Sequence, residues 1–270
     1  MRLRMFRVDA FTDQVFHGNP AAVIPLRQWL NDGLLQEIAA ENYFSETAFF
    51  TPIRSGFHLR WFTPVAEVPL CGHATLATAF VIFNFLTPAK KLIHFHTLGG
   101  DLHVSRKGDL LTLDFPRYVP QRCDAPALLA EGLGLPPKEV WNTREDKNYY
   151  AIFETARDIR SLSPKMNILE KLHPYQVAVT APDDTVDFVS RFFAPSIGIP
   201  EDPVTGSMHC ALIPYWANRL GKTILQARQV SSRGGDLYCE DHPAEGRVRI
   251  AGHAVLSLRG YIPIEEGPLV

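Results

Sequence analysis

Arg60-Trp61-Phe62-Thr63-Pro64 closes one strand-like segment, and Arg191-Phe192-Phe193-Ala194-Pro195 closes another about half of the 270-residue chain later. Each is followed by a short loop carrying a glutamate, Glu67 or Glu201. Each loop then reaches a glycine, Gly72 or Gly206, that opens a helix. Five similar residues alone would pass for a coincidence between two amphipathic strand–helix units. The shared order of strand, proline, glutamate, glycine and helix reads instead as an internal duplication. Equivalent helices related by a pseudo-twofold axis are expected to aim their N-termini at one cleft. Unpaired backbone N–H groups and a partial positive charge at each N-terminus suit a carboxylate there.

Working outward, the spacing predicts strands over 2–11 and 21–25, and a helix over 34–42 capped by Asn31 or Asp32. A strand pair follows over 47–52 and 57–63, turning at Arg54-Ser55-Gly56. The apolar stretch from 72 to about 86 reads as one buried helix. Strands are predicted over 92–97, 102–106 and 110–115. Phe115-Pro116-Arg117-Tyr118-Val119-Pro120 reads as a linker, since two prolines in an extended stretch interrupt regular structure. The pattern then restarts, with a helix over 127–133, strands over 149–154, 177–180 and 188–193, a second helix over 206–220, and terminal strands turning at Gly234-Gly235 and Gly252-His253. These elements divide the chain into a first lobe, 1–117, with 259–270 free to pack back on it, and a second lobe, 118–258, with the active site expected between them.

Hydrophobic residues make up 46% of the chain and charged residues 21%, enough to bury two sizeable cores. The net charge is −2 and Lys90-Lys91 is the longest basic run, so nucleic acid and anionic membranes are not expected as partners. The most apolar stretch, 74–86, is interrupted by Thr75, Thr78 and Asn84 and is too short to span a bilayer. The start, Met1-Arg2-Leu3-Arg4-Met5-Phe6-Arg7-Val8-Asp9, alternates like a strand and has no signal-peptide core. Cys71, Cys123, Cys210 and Cys239 form no Cys-x-x-Cys pair, so neither a metal site nor a disulfide framework is expected, and a reducing cytoplasm is the simplest location.

Chemistry concentrates in four segments. The first loop reads Glu67-Val68-Pro69-Leu70-Cys71-Gly72-His73-Ala74-Thr75, with Gly72 open to close backbone approach and His73 in the first helical turn. His73 could equally be a helix-start residue bonded to a nearby carbonyl. The second loop reads Glu201-Asp202-Pro203-Val204-Thr205-Gly206-Ser207-Met208-His209-Cys210, where Asp202 could initiate a turn and Ser207 could cap a helix. Their joint occurrence at the equivalent point of the repeat favours a functional role. Asn19, in Phe16-His17-Gly18-Asn19-Pro20, could hold a turn or a ligand. Glu46 precedes an apolar strand and shares a side with Ala48 and Phe50. A partly buried glutamate there would have a raised pKa, which suits a general base.

These segments resemble the phenazine-biosynthesis (PhzF-like) isomerases, which share the diaminopimelate epimerase fold. The resemblance covers 8–25 with Gly18-Asn19-Pro20, Ser45-Glu46-Thr47, 61–77 with Cys71-Gly72-His73-Ala74-Thr75, and 191–216 with Asp202-Pro203-Val204-Thr205-Gly206-Ser207. Ser232-Arg233-Gly234-Gly235 adds a later match. It implies an α+β fold of two pseudo-symmetric lobes, each a barrel-like, mostly antiparallel sheet around a central helix. It further implies a homodimer and a cofactor-free, metal-free proton shift on a small anionic metabolite. Glu46 would be the acid/base, with His73 and Asp202 assisting, and Asn19, Gly72, Gly206 and Ser207 binding substrate. Met208 stands where a small residue is expected and could narrow the pocket. The nearest rival is a two-thiol racemase using Cys71, but the second loop offers no cysteine and Cys210 lies a full turn into its helix. A metal site from His73, His209 and Cys210 lacks ligand spacing. A non-catalytic binding protein that retains the fold is the reading from a different class.

Overall fold

The computed structural model describes residues 1–264. In chain order the elements are β1 (Arg2–Ala10), β2 (Asn19–Pro25), α1 (Asp32–Asn42), β3 (Thr47–Ile53), β4 (Gly56–Phe62), β5 (Glu67–Val68), α2 (Gly72–Val81), β6 (Leu92–Thr97), β7 (Gly100–Lys107) and β8 (Leu110–Pro116). Then follow β9 (Gln121–Arg122), α3 (Ala127–Leu133), β10 (Glu139–Asn142), β11 (Asn148–Ile152), α4 (Ala156–Ser161), α5 (Met166–Leu169), β12 (Gln176–Pro182), β13 (Phe188–Ala194), β14 (Ile199–Asp202), α6 (Gly206–Leu220), β15 (Ile224–Gln229), β16 (Gly235–His242), β17 (Arg247–Gly252) and β18 (Ala254–Pro263).

The chain forms two compact units. One comprises Met1–Leu113 with residues 252–264, and the other is Asp114–Ala251. These limits correct the boundaries read at 117/118 and 258/259. The return begins at Gly252 because β18 pairs antiparallel with all of β1, from Arg2 opposite Pro263 to Ala10 opposite Ala254. The end of the 259–270 tail, 265–270, lies outside the described residues.

Within the first unit the strands run β18-β1-β2-β3-β4-β6-β7-β8. Successive pairings are antiparallel, antiparallel, parallel, antiparallel, parallel, antiparallel and antiparallel. Within the second unit the order is β9-β10-β11-β12-β13-β15-β16-β17, and the succession of pairings is the same. In each unit a short extra strand, β5 or β14, returns antiparallel on the strand before the helix. The parallel β2–β3 and β11–β12 pairs need crossovers, supplied by α1 in one unit and by α4 and α5 in the other.

Each unit buries one long helix. In α2 every residue from Gly72 to Ala79 is buried, together with Val81, and the helix packs on β1, β2, β3 and β18. A helix enclosed by strands on several sides needs small residues, and Ala74, Thr75, Ala77, Thr78 and Ala79 supply them. Their two hydroxyls turn inward on the helix itself, Thr75 Oγ1 donating to Cys71 O (2.5 Å) and Thr78 Oγ1 to Ala74 O (2.7 Å). The single helix read over 72–86 is α-helical only to Val81. Residues Ile82–Leu86 form a π-turn that ends with Thr87 N donating to Ile82 O. In the second unit, α6 is buried from Met208 to Ala217 and packs on β15 and β16, with Trp216 stacked on Phe188 of β13. Asn31 caps α1, its Oδ1 accepting from Leu34 N at 2.8 Å. No helix among the described residues is long and apolar enough to cross a membrane.

Candidate active site

The repeat is anchored by one ion pair in each unit. Arg60 on β4 makes a two-pronged contact with Glu67 on β5, Nε to Oε1 at 2.8 Å and Nη2 to Oε2 at 2.7 Å. Arg191 on β13 makes the same contact with Glu201 on β14, at 2.8 and 3.0 Å. Paired forks of this kind fix direction as well as distance. Each guanidinium also lies over a phenylalanine two residues on, Phe62 or Phe193. The loop after each clamp is thereby held at its start and delivers the first turn of α2 or α6. Neither helix has a side-chain cap, since the cap residues Cys71 and Thr205 direct nothing onto the first N–H groups. Ser207, read as a possible cap, sits inside the first turn of α6, so the capping position belongs to Thr205.

The first unit gathers Asn19, Glu46, Cys71 and His73. Asn19 is fully buried at the start of β2. It is placed by Gly18, whose φ of +63° lets the chain pass so close to β1 that a Cβ would lie 2.2 Å from Ala10 O. Asn19 Nδ2 donates to His73 Nδ1 at 3.1 Å. That leaves the imidazole proton on Nε2, which faces Glu46 Oε2 at 3.2 Å. Cys71 Sγ lies 3.5 Å from Nδ1 and 4.0 Å from Nε2 of the same ring. Burial pushes His73 down to about 3, so the ring is neutral at physiological pH and its Nε2 edge lies beside the carboxylate. The Glu46 side chain is 14% exposed, which keeps it within reach of a small solute.

The second unit builds a different network at the equivalent place. Asp202, buried at the end of β14, accepts a short hydrogen bond from Thr205 Oγ1. Gln229, buried at the end of β15, accepts from Thr205 N (2.7 Å) and donates to Asp202 O (2.7 Å) and Thr205 Oγ1 (3.2 Å). His209 Nδ1 donates to Thr205 O (2.7 Å), and Ser231 Oγ donates to Pro203 O (2.8 Å). Burial lowers His209 to about 4, partly offset by the bond to Thr205 O. Met208 is fully buried, as are Cys210 and Cys239, whose thiols burial pushes far up.

Of the residues singled out from sequence, Asn19, Glu46 and His73 meet in the first unit beside Gly72. Asp202 and Gly206 belong to the second-unit loop, and Ser207 is half-buried one residue beyond. Sequence reasoning missed Gln229 and Thr205 as the frame of Asp202, and placed Cys71 in the loop without its contact to His73. A signal for Gln229 exists. Leu225, Ala227 and Gln229 share the inward face of β15, and a glutamine at an inward position needs polar partners. Tyr150, at an inward position of β11, likewise finds Asp146 and Asn148.

The chain matches the sequence model of the family described as phenazine biosynthesis-like protein over residues 8–260. It is 48% identical to an uncharacterized isomerase of Pseudomonas aeruginosa over 97% of this chain and 99% of that protein. It is 38% identical to the phenazine biosynthesis-like domain-containing protein of Rattus norvegicus, again over 97% and 99%. The crystal structure of a phenazine biosynthesis protein of the PhzF family from Enterococcus faecalis superposes with a TM-score of 0.94 at 43% identity, covering 98% of this chain and 100% of that one. A probable proline racemase from Agrobacterium radiobacter, 12% identical with a TM-score of 0.63, shares the fold. The expected α+β architecture of epimerase type is therefore the fold of this protein. With the model matching almost the whole chain and these relatives aligned end to end, the protein belongs to the phenazine biosynthesis-like (PhzF) family.

Proposed function

We propose that the protein is a cofactor-independent isomerase that moves a proton between carbon atoms of a small carboxylate-bearing metabolite, with Glu46 as the general acid/base. The observation that carries this reading is the Glu46 carboxylate 3.2 Å from a buried, neutral His73, close to the uncapped start of α2. A base is needed to take a proton from carbon at neutral pH, and an uncapped helix start favours the negative charge that develops on the conjugated acid. In this proposal His73, oriented by Asn19, sets its Nε2 edge against the Glu46 carboxylate and holds it in place. Asp202 returns the proton, and the backbone at Gly72 and Gly206, with Ser207, binds the substrate carboxylate. The names of the Pseudomonas aeruginosa relatives, both isomerases, support the class of reaction. The proposal carries with it an anionic substrate and a homodimer.

The test is incorporation of solvent deuterium into a panel of small unsaturated and α-amino acids, read by mass spectrometry. The wild-type chain should label at least one of them. Glu46→Gln keeps shape but removes the titratable group and should lower exchange by ~10²–10⁴-fold with folding intact. Cys71→Ala should keep most of it. Full exchange in Glu46→Gln removes Glu46 from the mechanism. Near-complete loss in Cys71→Ala favours a thiol mechanism instead. Cys71 does sit in the cluster, but two-thiol chemistry also needs a second accessible sulfur. Cys210 is buried one turn into α6 with its thiol held protonated.

A further inference from the structure

In the second unit a hydrogen-bond chain of fixed direction ends on the Asp202 carboxyl group. It begins at Gln229, fully buried at the end of β15, where the backbone is locked by ladders to β13 on one side and β16 on the other. Gln229 Oε1 accepts from Thr205 N at 2.7 Å, and Nε2 donates to Asp202 O at 2.7 Å. A main-chain N–H can only donate and a main-chain carbonyl can only accept, so the amide has one orientation. Its other Nε2 proton points at Thr205 Oγ1, 3.2 Å away. The hydroxyl's own proton then goes to Asp202 Oδ2, its only acceptor among the described residues. A proton on Oδ2 would turn that contact round and leave the buried hydroxyl proton without an acceptor. The equivalent loop of the first unit is braced by other means. There Thr97 stands where Gln229 does and donates to Gly100 O at 2.6 Å, and Gly99 packs so closely that a Cβ would lie 2.4 Å from Pro69 O. Bracing the loop therefore does not in itself call for a buried glutamine.

We infer that Gln229, acting through Thr205, is a positioning residue that confines proton exchange at Asp202 to Oδ1. The inference rests on the reading of Asp202 as the group that returns the proton. Oδ2 accepts from Thr205 in both states of the side chain: as a carboxylate oxygen, and as the carbonyl oxygen of the acid that carries its proton on Oδ1. During transfer the O–H bond at Oδ1 breaks, its proton forms the new C–H bond, and the electron pair stays on the carboxylate. Solvent then reprotonates Oδ1 and takes up the proton held by Glu46. Nothing in the chain from Gln229 to Asp202 has to turn during these steps, and groups that need no reorganisation lower the barrier. A carboxyl group without the Thr205 bond could rotate and offer either oxygen, and small misplacements of a reacting group cost rate steeply.

One measurement is independent of activity. Neutron diffraction from crystals of the whole chain in deuterium oxide should show the Thr205 deuteron aimed at Asp202 Oδ2 and the two Nε2 deuterons of Gln229 aimed at Asp202 O and Thr205 Oγ1. The opposite amide orientation, or a deuteron bonded to Asp202 Oδ2, overturns the proposal, even if every variant misfolds. The other measurement uses the acid that the wild-type chain labels and reads two rates: deuterium entering at the carbon from which Glu46 takes the proton, and isomer formed. Thr205→Val keeps the shape but lacks the hydroxyl. It should lower isomer formation by at least about tenfold while deuterium entry at the first carbon stays near the wild-type rate. Gln229→Leu should show the same split, and Thr205→Ser should recover most of the isomer formation lost in Thr205→Val. Equal loss of both rates, or no recovery with serine, overturns the positioning role and leaves the isomerase reading standing. A wild-type chain that labels no acid counts against the isomerase reading and, with it, against this role.

Discussion

His73 and His209 sit in equivalent helices but end in different networks, and both are held neutral by burial. Burial lowers His73 to about 3 and His209 to about 4, against about 6.5 for an exposed histidine. Between those values and 6.5 the unfolded chain binds protons that the folded chain does not. Stability therefore rises with pH across this window. The contribution of each neutral histidine is complete above about pH 6.5 and is lost as pH falls towards 4 for His209 and towards 3 for His73. The slope is at most ~1.4 kcal/mol per pH unit for each histidine. Urea midpoints measured from pH 7 to pH 4.5 should fall steadily. His209→Asn, which can still donate to Thr205 O, should flatten that fall by about half. A wild-type midpoint independent of pH over this range would show that these rings are not kept neutral. At this scale the sequence was only partly legible. Asn19, Glu46 and His73 stood out because polar residues beside apolar runs need partners, and they do meet. Their hydrogen-bond order, with Asn19 setting the tautomer and His73 facing Glu46, depends on tertiary approach across 54 positions in the chain and has no local signature. Thr205 and Gln229 stayed hidden for the same reason, since a strand residue and a loop residue become one network only when β15 is laid beside β13.

The paired clamps show what duplication preserves in an element and what it lets drift. Arg60–Glu67 and Arg191–Glu201 keep the same atoms in contact, while the chemistry beside them has diverged, with Val68 where the second unit has Asp202 and His73 where it has Ser207. The clamp shapes the strand-to-helix turn, and the residues around it are free to specialise. The two clamps are not equally loaded. Arg191 also donates through Nη1 to Ile159 O at 3.1 Å and Leu162 O at 2.9 Å, securing the end of α4. The third partner of Arg60 is Asp32, whose side chain is 76% exposed. Removing Arg191 leaves a largely buried carboxylate and two carbonyls without their donor, whereas removing Arg60 leaves one carboxylate and an exposed aspartate. Arg191→Ala should thus cost about 3–5 kcal/mol and Arg60→Ala distinctly less. Arg191→Lys should not rescue, because an ammonium cannot form the fork. Chemical denaturation of the three variants checks the order, and equal losses for the two alanine variants would refute it. The strand, proline, glutamate and glycine order was legible because both clamp and turn are local. By contrast, β10, α4 and α5 were not, because they are short and lie in a stretch whose polar and apolar residues follow no long period. The π-turn after α2 was also invisible, because Ile82-Phe83-Asn84-Phe85-Leu86 is as apolar as the helix that precedes it.

For the whole molecule, each unit carries the same succession of strand pairings, but the chain distributes them unequally. The second unit is one continuous segment, Asp114–Ala251. Its core of Leu129, Leu133, Val140, Phe153, Ile159, Leu169, Val179, Val189 and Phe193 is drawn entirely from that segment. The first unit is discontinuous. β1 lies between β2 and β18, and the whole length of β1 is paired by β18 from the far end of the chain. Its α2 rests partly on β18 as well. Without β18, β1 becomes an exposed edge of nine residues containing Leu3, Met5, Phe6 and Val8, the kind of edge that recruits other chains. A polypeptide of residues 114–251 should therefore fold alone, with a cooperative denaturation transition and a near-ultraviolet dichroism signal from Trp216 stacked on Phe188. A polypeptide of residues 1–113 should aggregate or remain without fixed tertiary structure. Joining residues 252–264 to it through a flexible linker ahead of Met1 should restore a folded, soluble unit, because Pro263 stands directly opposite Arg2 and a short linker closes that hairpin. Cooperative folding of 1–113 without β18, or failure of 114–251 to fold, would show that the division of the chain into these two segments does not describe its folding units.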